Sequence, residues 1–142
     1  MSKREPFWID ERDVFTVHER LLALHGGLSG VRDRGLLESA LARPRQHFSY
    51  GENVDIIEMA ALYTVGIVQN HPFVDGNKRA GFMAGALFPE VNGFDFLARE
   101  EDVITTVLAL AAGDLDEAGY AKWLRSNVKQ RRKNRKAGYQ KG

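Results

Sequence analysis

Apolar residues recur at intervals of three and four along most of the chain, and the pattern predicts helices joined by short polar corners. Asp10 is placed to cap a first helix, with Asp13 in its first turn. Val14, Val17, Leu21 and Leu24 form its core-facing stripe, Arg12, Glu19 and Arg20 its solvated face, and Gly26-Gly27 ends it just after His25. Leu28 to Arg34 reads as a connector. A short helix from about Gly35 to Ala42 follows, with Leu36, Leu37, Ala40 and Leu41 on its buried side and Pro44 closing it. Residues 45–53 hold Phe48 and Tyr50 without helical spacing, and read as an extended flap, a small hairpin or a solvated loop.

Val54 to Asn70 leaves almost no polar face, as expected of a central helix surrounded by others. Pro72 stops it and biases His71 toward extended geometry, with the imidazole near the helix C-terminus. The next helix starts near Asn77. It carries Phe82, Met83, Ala86 and Leu87, while Ala80, Gly81, Ala84 and Gly85 would let a neighbouring helix approach closely, and Pro89 lies near its end. Asn92-Gly93 marks a turn, and Phe94-Asp95-Phe96 a short extended piece. A fifth helix spans about Glu100 to Ala112 and stops at Gly113. Asp114 and Glu117 have capping-box spacing ahead of a last helix, in which Leu115, Tyr120, Trp123 and Leu124 pack inward. The expected fold is all-α: a compact bundle of about six helices.

Composition narrows the class. With 142 residues, 44% hydrophobic and 27% charged, the chain fits one domain with a modest core. It has no cysteine, which excludes disulfide frameworks and Cys-based zinc sites. The charged N-terminus leads into no signal-like apolar run, and the Met59 to Val68 window is far shorter than the ~20 residues of a membrane helix, so the expected location is cytoplasmic. The formal charge of +1 hides an asymmetry. Lys129, Arg131, Arg132, Lys133, Arg135, Lys136 and Lys141 form an acid-free end, leaving 13 basic against 19 acidic side chains in residues 1–128, a formal −6. The expected organisation is a helical domain over 1–128 and a basic, disordered tail over 129–142. Nucleic acid would meet the tail only, weakly or indirectly.

The candidate chemistry is concentrated in His71-Pro72-Phe73-Val74-Asp75-Gly76-Asn77-Lys78-Arg79, between one helix C-terminus and the next N-terminus. An ordinary corner would use Pro72 to stop, Phe73 to anchor, Gly76 to turn and the Asn77 side chain to cap. That reading leaves Lys78 and Arg79 in a first helical turn, where the macrodipole disfavours cations by roughly 0.3–1 kcal/mol each. A bound phosphate reverses the sign, because the backbone N–H groups, the dipole and both cations then converge on it. Asp75 suits Mg²⁺, which takes one or two carboxylates and completes its shell with phosphate oxygens and water. His71 suits a general base, since histidine exchanges protons near neutral pH. Zinc would be the other use of His71 and Asp75, but no His-x-x-x-His or Glu-x-x-His pair accompanies them. Walker A and Gly-x-Gly-x-x-Gly sequences are absent, and His18, His25 and His47 read as surface or interfacial residues.

The nine-residue stretch resembles the signature of the Fic/Doc superfamily in its Doc (death on curing) form. The resemblance extends to Gly26-Gly27-Leu28, Arg32-Asp33 and Gly35-Leu36-Leu37-Glu38-Ser39-Ala40, and covers about residues 8–125. It implies an all-α fold with the active-site loop between two central helices. It also implies ATP as substrate with Mg²⁺, His71 as general base, Asp75 as the metal ligand, Gly76 and Asn77 as the anion-binding loop, and Lys78 and Arg79 on the phosphates. Fic adenylyltransferases resemble His-Pro-Phe-x-Asp/Glu-Gly-Asn-Gly-Arg-x-x-Arg; here Lys78 replaces the second glycine and Phe82 the last arginine. Both departures favour the Doc form, which resembles a kinase moving the γ-phosphate to a threonine of elongation factor Tu and so stopping translation. Residues 45–53 match the place of the family's target-docking flap, used by strand addition. Ser49-Tyr50-Gly51-Glu52-Asn53 falls one residue short of the inhibitory Ser/Thr-x-x-x-Glu-Gly/Asn motif, so restraint is expected from a separate antitoxin. The alternatives are nucleotidyl transfer to a protein hydroxyl, and an inactive binding module with a nucleic-acid-contacting tail.

Overall fold

The computed structural model describes residues 4–132, and the expectation of a disordered tail concerns mainly residues 133–142, outside that range. The described residues form six helices and one two-stranded ribbon: α1 (Glu11–His25), α2 (Arg34–Tyr50), α3 (Ile56–Asn70), α4 (Asn77–Val91), β1 (Phe94–Phe96), α5 (Glu100–Ala112), α6 (Glu117–Ser126) and β2 (Val128–Gln130). Asp10, Asp33, Asp55 and Asp116 each accept a backbone N–H at a helix N-terminus. Asp10 and Asp13 complete a reciprocal capping box. The last helix is capped by Asp116, two residues beyond the expected Asp114.

Helix α3 is the centre, with every residue from Met59 to Val68 buried. It packs against α4 through glycines. A Cβ on Gly81 would lie 2.9 Å from Val68 Cγ2, and one on Gly85 would collide with the Thr64 hydroxyl and lie 2.7 Å from the Ala60 carbonyl oxygen. The Thr64 hydroxyl donates to the Gly81 carbonyl at 2.8 Å, so the close approach also satisfies a buried polar group. On the other flank Gly66 faces Ala40 of α2. Tyr63 is fully buried; its hydroxyl donates to the Ile9 carbonyl and accepts from the Ile9 N–H, and burial pushes its pKa up to about 12.

Helix α2 departs from the expected short helix and flap. Pro44 lies inside it, and residues 45–50 continue the helix. Proline forfeits one hydrogen bond and crowds the preceding turn. Here Leu37, Leu41, Pro44 and Phe48 form one inward stripe, with Leu37 and Pro44 fully buried and Phe48 edge-on to Trp8 at 5.6 Å, and that packing offsets the loss. Only residues 51–55 remain loop between α2 and α3. A strand-adding flap over 45–53 is therefore not part of this fold.

The expected extended piece at Phe94–Phe96 is present as β1, paired antiparallel with β2, so that Phe96 faces Val128 and Phe94 faces Gln130. Lys129 and Gln130, expected in the tail, are thus part of the folded body. Arg131 locks the ribbon, its guanidinium donating to the carbonyls of Glu90 and Phe94 and pairing with Asp95 at 2.8 Å. Among the described residues no helix is long and apolar enough to cross a membrane.

Candidate active site

The predicted site lies where α3 ends and α4 begins. His71 closes α3 as its C-cap, with its N–H donating to the Ile67 carbonyl. Its backbone is left-handed (φ 51, ψ 56), rather than extended as expected, and it is the one non-glycine residue of positive φ among those described. Pro72 disfavours right-handed helix at position 71, and the left-handed cap is the alternative that still satisfies an end carbonyl. The conformation is uncommon outside glycine and asparagine, and it is held by contacts from elsewhere in the chain.

Those contacts come from the loop after α1. Leu28 N–H donates to Asp75 Oδ2 at 3.1 Å, and Val74 N–H to the Gly30 carbonyl. Val31 and Phe73 form an isolated antiparallel bridge. The N–H groups of Arg32 and Asp33 both donate to the Pro72 carbonyl, and the Arg32 guanidinium donates to the carbonyls of Asn70 and His71. Residues 28–33 are thus laid alongside the signature from Asn70 to Asp75. The extended segment at this site is here, not at 45–53.

Within the turn, Phe73 is buried and Gly76, at φ 79, occupies the α4 N-cap position without offering a side chain. Asn77 does not cap. Its buried amide bonds the backbone of Phe73 twice, accepting from the N–H at 2.9 Å and donating to the carbonyl at 3.0 Å. The amide therefore closes the turn, which leaves the first N–H groups of α4 without a side-chain partner. Lys78 and Arg79 are exposed, and among the described residues neither forms an ion pair. No acidic residue lies in that first turn.

Asp75 is exposed, but its carboxylate is held: Oδ2 accepts from Leu28 N–H and Oδ1 from Gly76 N–H at 2.9 Å. The Leu28 and Gly76 N–H groups, with smaller help from Arg79 and His18, hold its pKa below the ordinary carboxylate value. Gly27 is needed for this contact, because its φ is 118 and a Cβ there would sit 2.9 Å from Asp75 Oδ2.

Asp75, Gly76, Asn77, Lys78 and Arg79 border a cleft of about 640 Å³ whose other wall is apolar, with Phe82, Phe96, Val103 and Val107. Phe82 meets Phe96 edge-on at 5.3 Å, so the side chain in place of a phosphate-binding arginine belongs to that apolar wall. His71 is exposed beside the cleft and does not line it. Among the described residues no three His, Cys, Asp or Glu side chains gather as a metal site. A divalent ion here would thus use the ionised Asp75 alone and draw its other ligands from phosphate and water, as Mg²⁺ does.

Two supporting residues were not foreseen. His18, expected to be a surface or interfacial residue, is buried beneath the turn, its ring stacked on Phe73 at 3.8 Å and its Nε2 2.8 Å from the Asp75 carbonyl oxygen. Its place on the stripe between Val14 and Leu21 was the available signal. Arg32 stands out in the sequence only as part of the Arg32-Asp33 stretch that carries the family resemblance, with no role attached to it.

The chain is similar in sequence to known proteins. The profile of the Fic/DOC family matches residues 8–89. The chain is 31% identical over 117 residues to Protein kinase doc of Escherichia phage P1, covering 82% of this chain and 92% of that protein. It is 36% identical over 126 residues to Toxin Doc of Mycolicibacterium smegmatis (strain ATCC 700084 / mc(2)155), covering 80% of this chain and 93% of that protein. With the signature between α3 and α4 and a match over more than half its length, the chain belongs to the Fic/DOC family.

Proposed function

We propose that this protein is a Doc-type toxin that transfers the γ-phosphate of ATP to a serine or threonine hydroxyl of a translation factor such as elongation factor Tu, and that a separate antitoxin restrains it. The observation that carries the reading is the pair of unpaired cations, Lys78 and Arg79, in the uncapped first turn of α4, next to the ionised Asp75 carboxylate. In a chain whose other described residues pair many of their charges, such an arrangement favours a polyanionic ligand. The names of the two relatives, one a kinase and one a toxin, support the same class.

In this reading the phosphates lie on the first backbone N–H groups of α4, at residues 77–79, since the Gly76 N–H is given to Asp75, with Lys78 and Arg79 stabilising the charge that develops on transfer. Asp75 would hold Mg²⁺, which would supply charge neutralisation to the phosphates. The protein hydroxyl approaches from solvent at the exposed His71, which takes its proton. The oxygen bonds to the γ-phosphorus, the bond to the β-phosphate oxygen breaks, and ADP leaves. Lys78 in place of glycine and Phe82 in place of arginine both remove features suited to attack at the α-phosphate, which supports phosphoryl over nucleotidyl transfer.

The test is ATP labelled at the α or the γ position, incubated with the protein and cell extract, with the modified protein then identified by mass. Transfer of the γ label to a translation factor is expected. Transfer of the α label alone would replace the kinase with an adenylyltransferase, and transfer of neither would favour a binding module.

A further inference from the structure

His18 lies outside the signature, yet it is the buried side chain on which the signature turn rests. It comes from the middle of α1, is 4% exposed, and has its ring plane within 12° of the Phe73 ring. Its Nε2 is 2.8 Å from the Asp75 carbonyl oxygen. A carbonyl only accepts, so Nε2 carries the hydrogen in this contact. At the opposite edge of the same peptide group, the Gly76 N–H donates to Asp75 Oδ1. A single peptide plane therefore links the imidazole to the carboxylate. That plane is pinned on one edge by His18 and reads out on the other as the orientation of Asp75.

The geometry also limits substitutes. A Cβ on Gly76 would lie 3.5 Å from His18 Nε2, an ordinary van der Waals distance, so the ring lies directly against the left-handed turn. A phenylalanine would keep the ring and lose the donor. A glutamine would keep a donor of similar reach and lose the stack. The two functions of the residue, floor and clamp, are thus separable by substitution.

We propose that His18 is a positioning residue for the Asp75 carboxylate, acting through the Asp75–Gly76 peptide, and that it sets how tightly the site takes a magnesium nucleotide without taking part in proton transfer. The proposal rests on the reading of Asp75 as the Mg²⁺ ligand. Its consequence differs from that of a core histidine that merely packs. Loss of the Nε2–H donor loosens the carboxylate locally and raises the Mg²⁺ requirement, while the maximum rate and the remainder of the fold stay as they were.

The experiment compares the wild-type protein with His18→Phe by amide hydrogen exchange, by thermal unfolding, and by ATP binding and transfer over a Mg²⁺ series. Exchange at Gly76 and Leu28, the two N–H groups on the carboxylate, is expected to quicken about fivefold to tenfold, the worth of one neutral hydrogen bond, with Val65 and Ile67 unchanged. The half-saturating Mg²⁺ concentration should rise by a similar factor, and the rate at saturating Mg²⁺ should stay near that of the wild type. Unchanged exchange and an unchanged Mg²⁺ requirement would overturn the proposal. So would a fall in maximum rate with no change in Mg²⁺ dependence.

Should His18→Phe not fold, His18→Gln decides: a wild-type Mg²⁺ requirement supports the clamp, and a raised requirement with Gly76 still protected overturns it. If the wild-type protein shows no Mg²⁺-dependent nucleotide binding, the functional reading fails by itself, and exchange at Gly76 and Leu28 still judges whether His18 holds Asp75.

Discussion

Arg32 holds His71 by its backbone: the guanidinium donates to the His71 carbonyl at 2.7 Å and to the Asn70 carbonyl at 2.8 Å. A cation thus sits on the negative end of α3 and satisfies two carbonyls that the helix itself leaves open. Arg32 is exposed, so solvent weakens the charge interaction, and Arg32→Ala should cost only about 1 kcal/mol of stability. Transfer activity should fall further than stability, because the left-handed His71 is then free to relax. Thermal unfolding beside a transfer assay measures both, and Arg32→Lys, which lacks the planar fork, should recover only part of the activity.

His71 can be changed without disturbing the cap. Asparagine tolerates left-handed backbone, so His71→Asn should leave the unfolding temperature near its wild-type value while transfer drops by ~10² to 10⁴. A variant that kept its rate would remove His71 from the role of base.

Lys78 and Arg79 should act on the nucleotide rather than the fold, since among the described residues neither forms an ion pair. Alanine at either position is expected to lower transfer by about 10² or more. Nucleotide titrations at several salt concentrations should show a shallower salt dependence in each variant.

Asp75 links the site to acid stability. Its folded pKa lies below the ordinary 3.8, so the folded state binds fewer protons there than the unfolded chain. The contribution is complete above the unfolded value and is lost as the pH falls through the folded one. Wild type and Asp75→Asn should therefore differ in unfolding temperature near neutrality, and the gap should begin to narrow near about pH 4, the ordinary aspartate range, and close as the pH falls through the lowered folded value. A gap that persisted in acid would point to a contact other than the ionised carboxylate.

Gly85 admits no side chain. Gly85→Ala would drive a methyl group into the Thr64 hydroxyl and the Ala60 carbonyl, and should destabilise the protein by about 1–3 kcal/mol, as overpacking in a full core does. Chemical denaturation measures it. Combining it with Thr64→Ala should restore only part of the loss, because the Ala60 backbone contact remains.

Where each element's evidence lay within a few residues, the chain could be read directly. The Asp10 cap with Asp13 in the first turn, the unbroken apolar run of α3, the small residues of α4 and the Gly113 stop are local signals, and each stands where expected. Pro44 misled because its cost is local while its compensation, burial within the stripe from Leu37 to Phe48, is tertiary. Strand β2 was hidden in a basic run: three residues carry no usable alternation, and the partner strand lies more than thirty positions away. The spacing from Asp114 to Glu117 pointed to the wrong aspartate, because Asp116, two residues on, is the one whose side chain reaches the Gly119 N–H.

The site divides in the same way. Nine consecutive residues announce its chemistry, but the two residues that hold it, His18 and Arg32, are 57 and 39 positions from their partners. A histidine on an apolar stripe and an arginine in a connector acquire meaning only once the loop after α1 is seen lying along the signature. Leu24 gives the converse lesson: it fits the stripe of α1 by spacing and is 76% exposed, because α1 has run past the core by that point.

The glycine contact between α3 and α4 has a mechanical consequence. Gly81 and Gly85 bring the two helices close enough for Thr64 to bridge them, which makes the helix carrying His71 and the helix carrying Lys78 and Arg79 one stiff lever pair. Packed cores shift between discrete arrangements and do not bend smoothly. The spacing between His71 at the end of α3 and Lys78 and Arg79 at the start of α4 is therefore set when the chain folds.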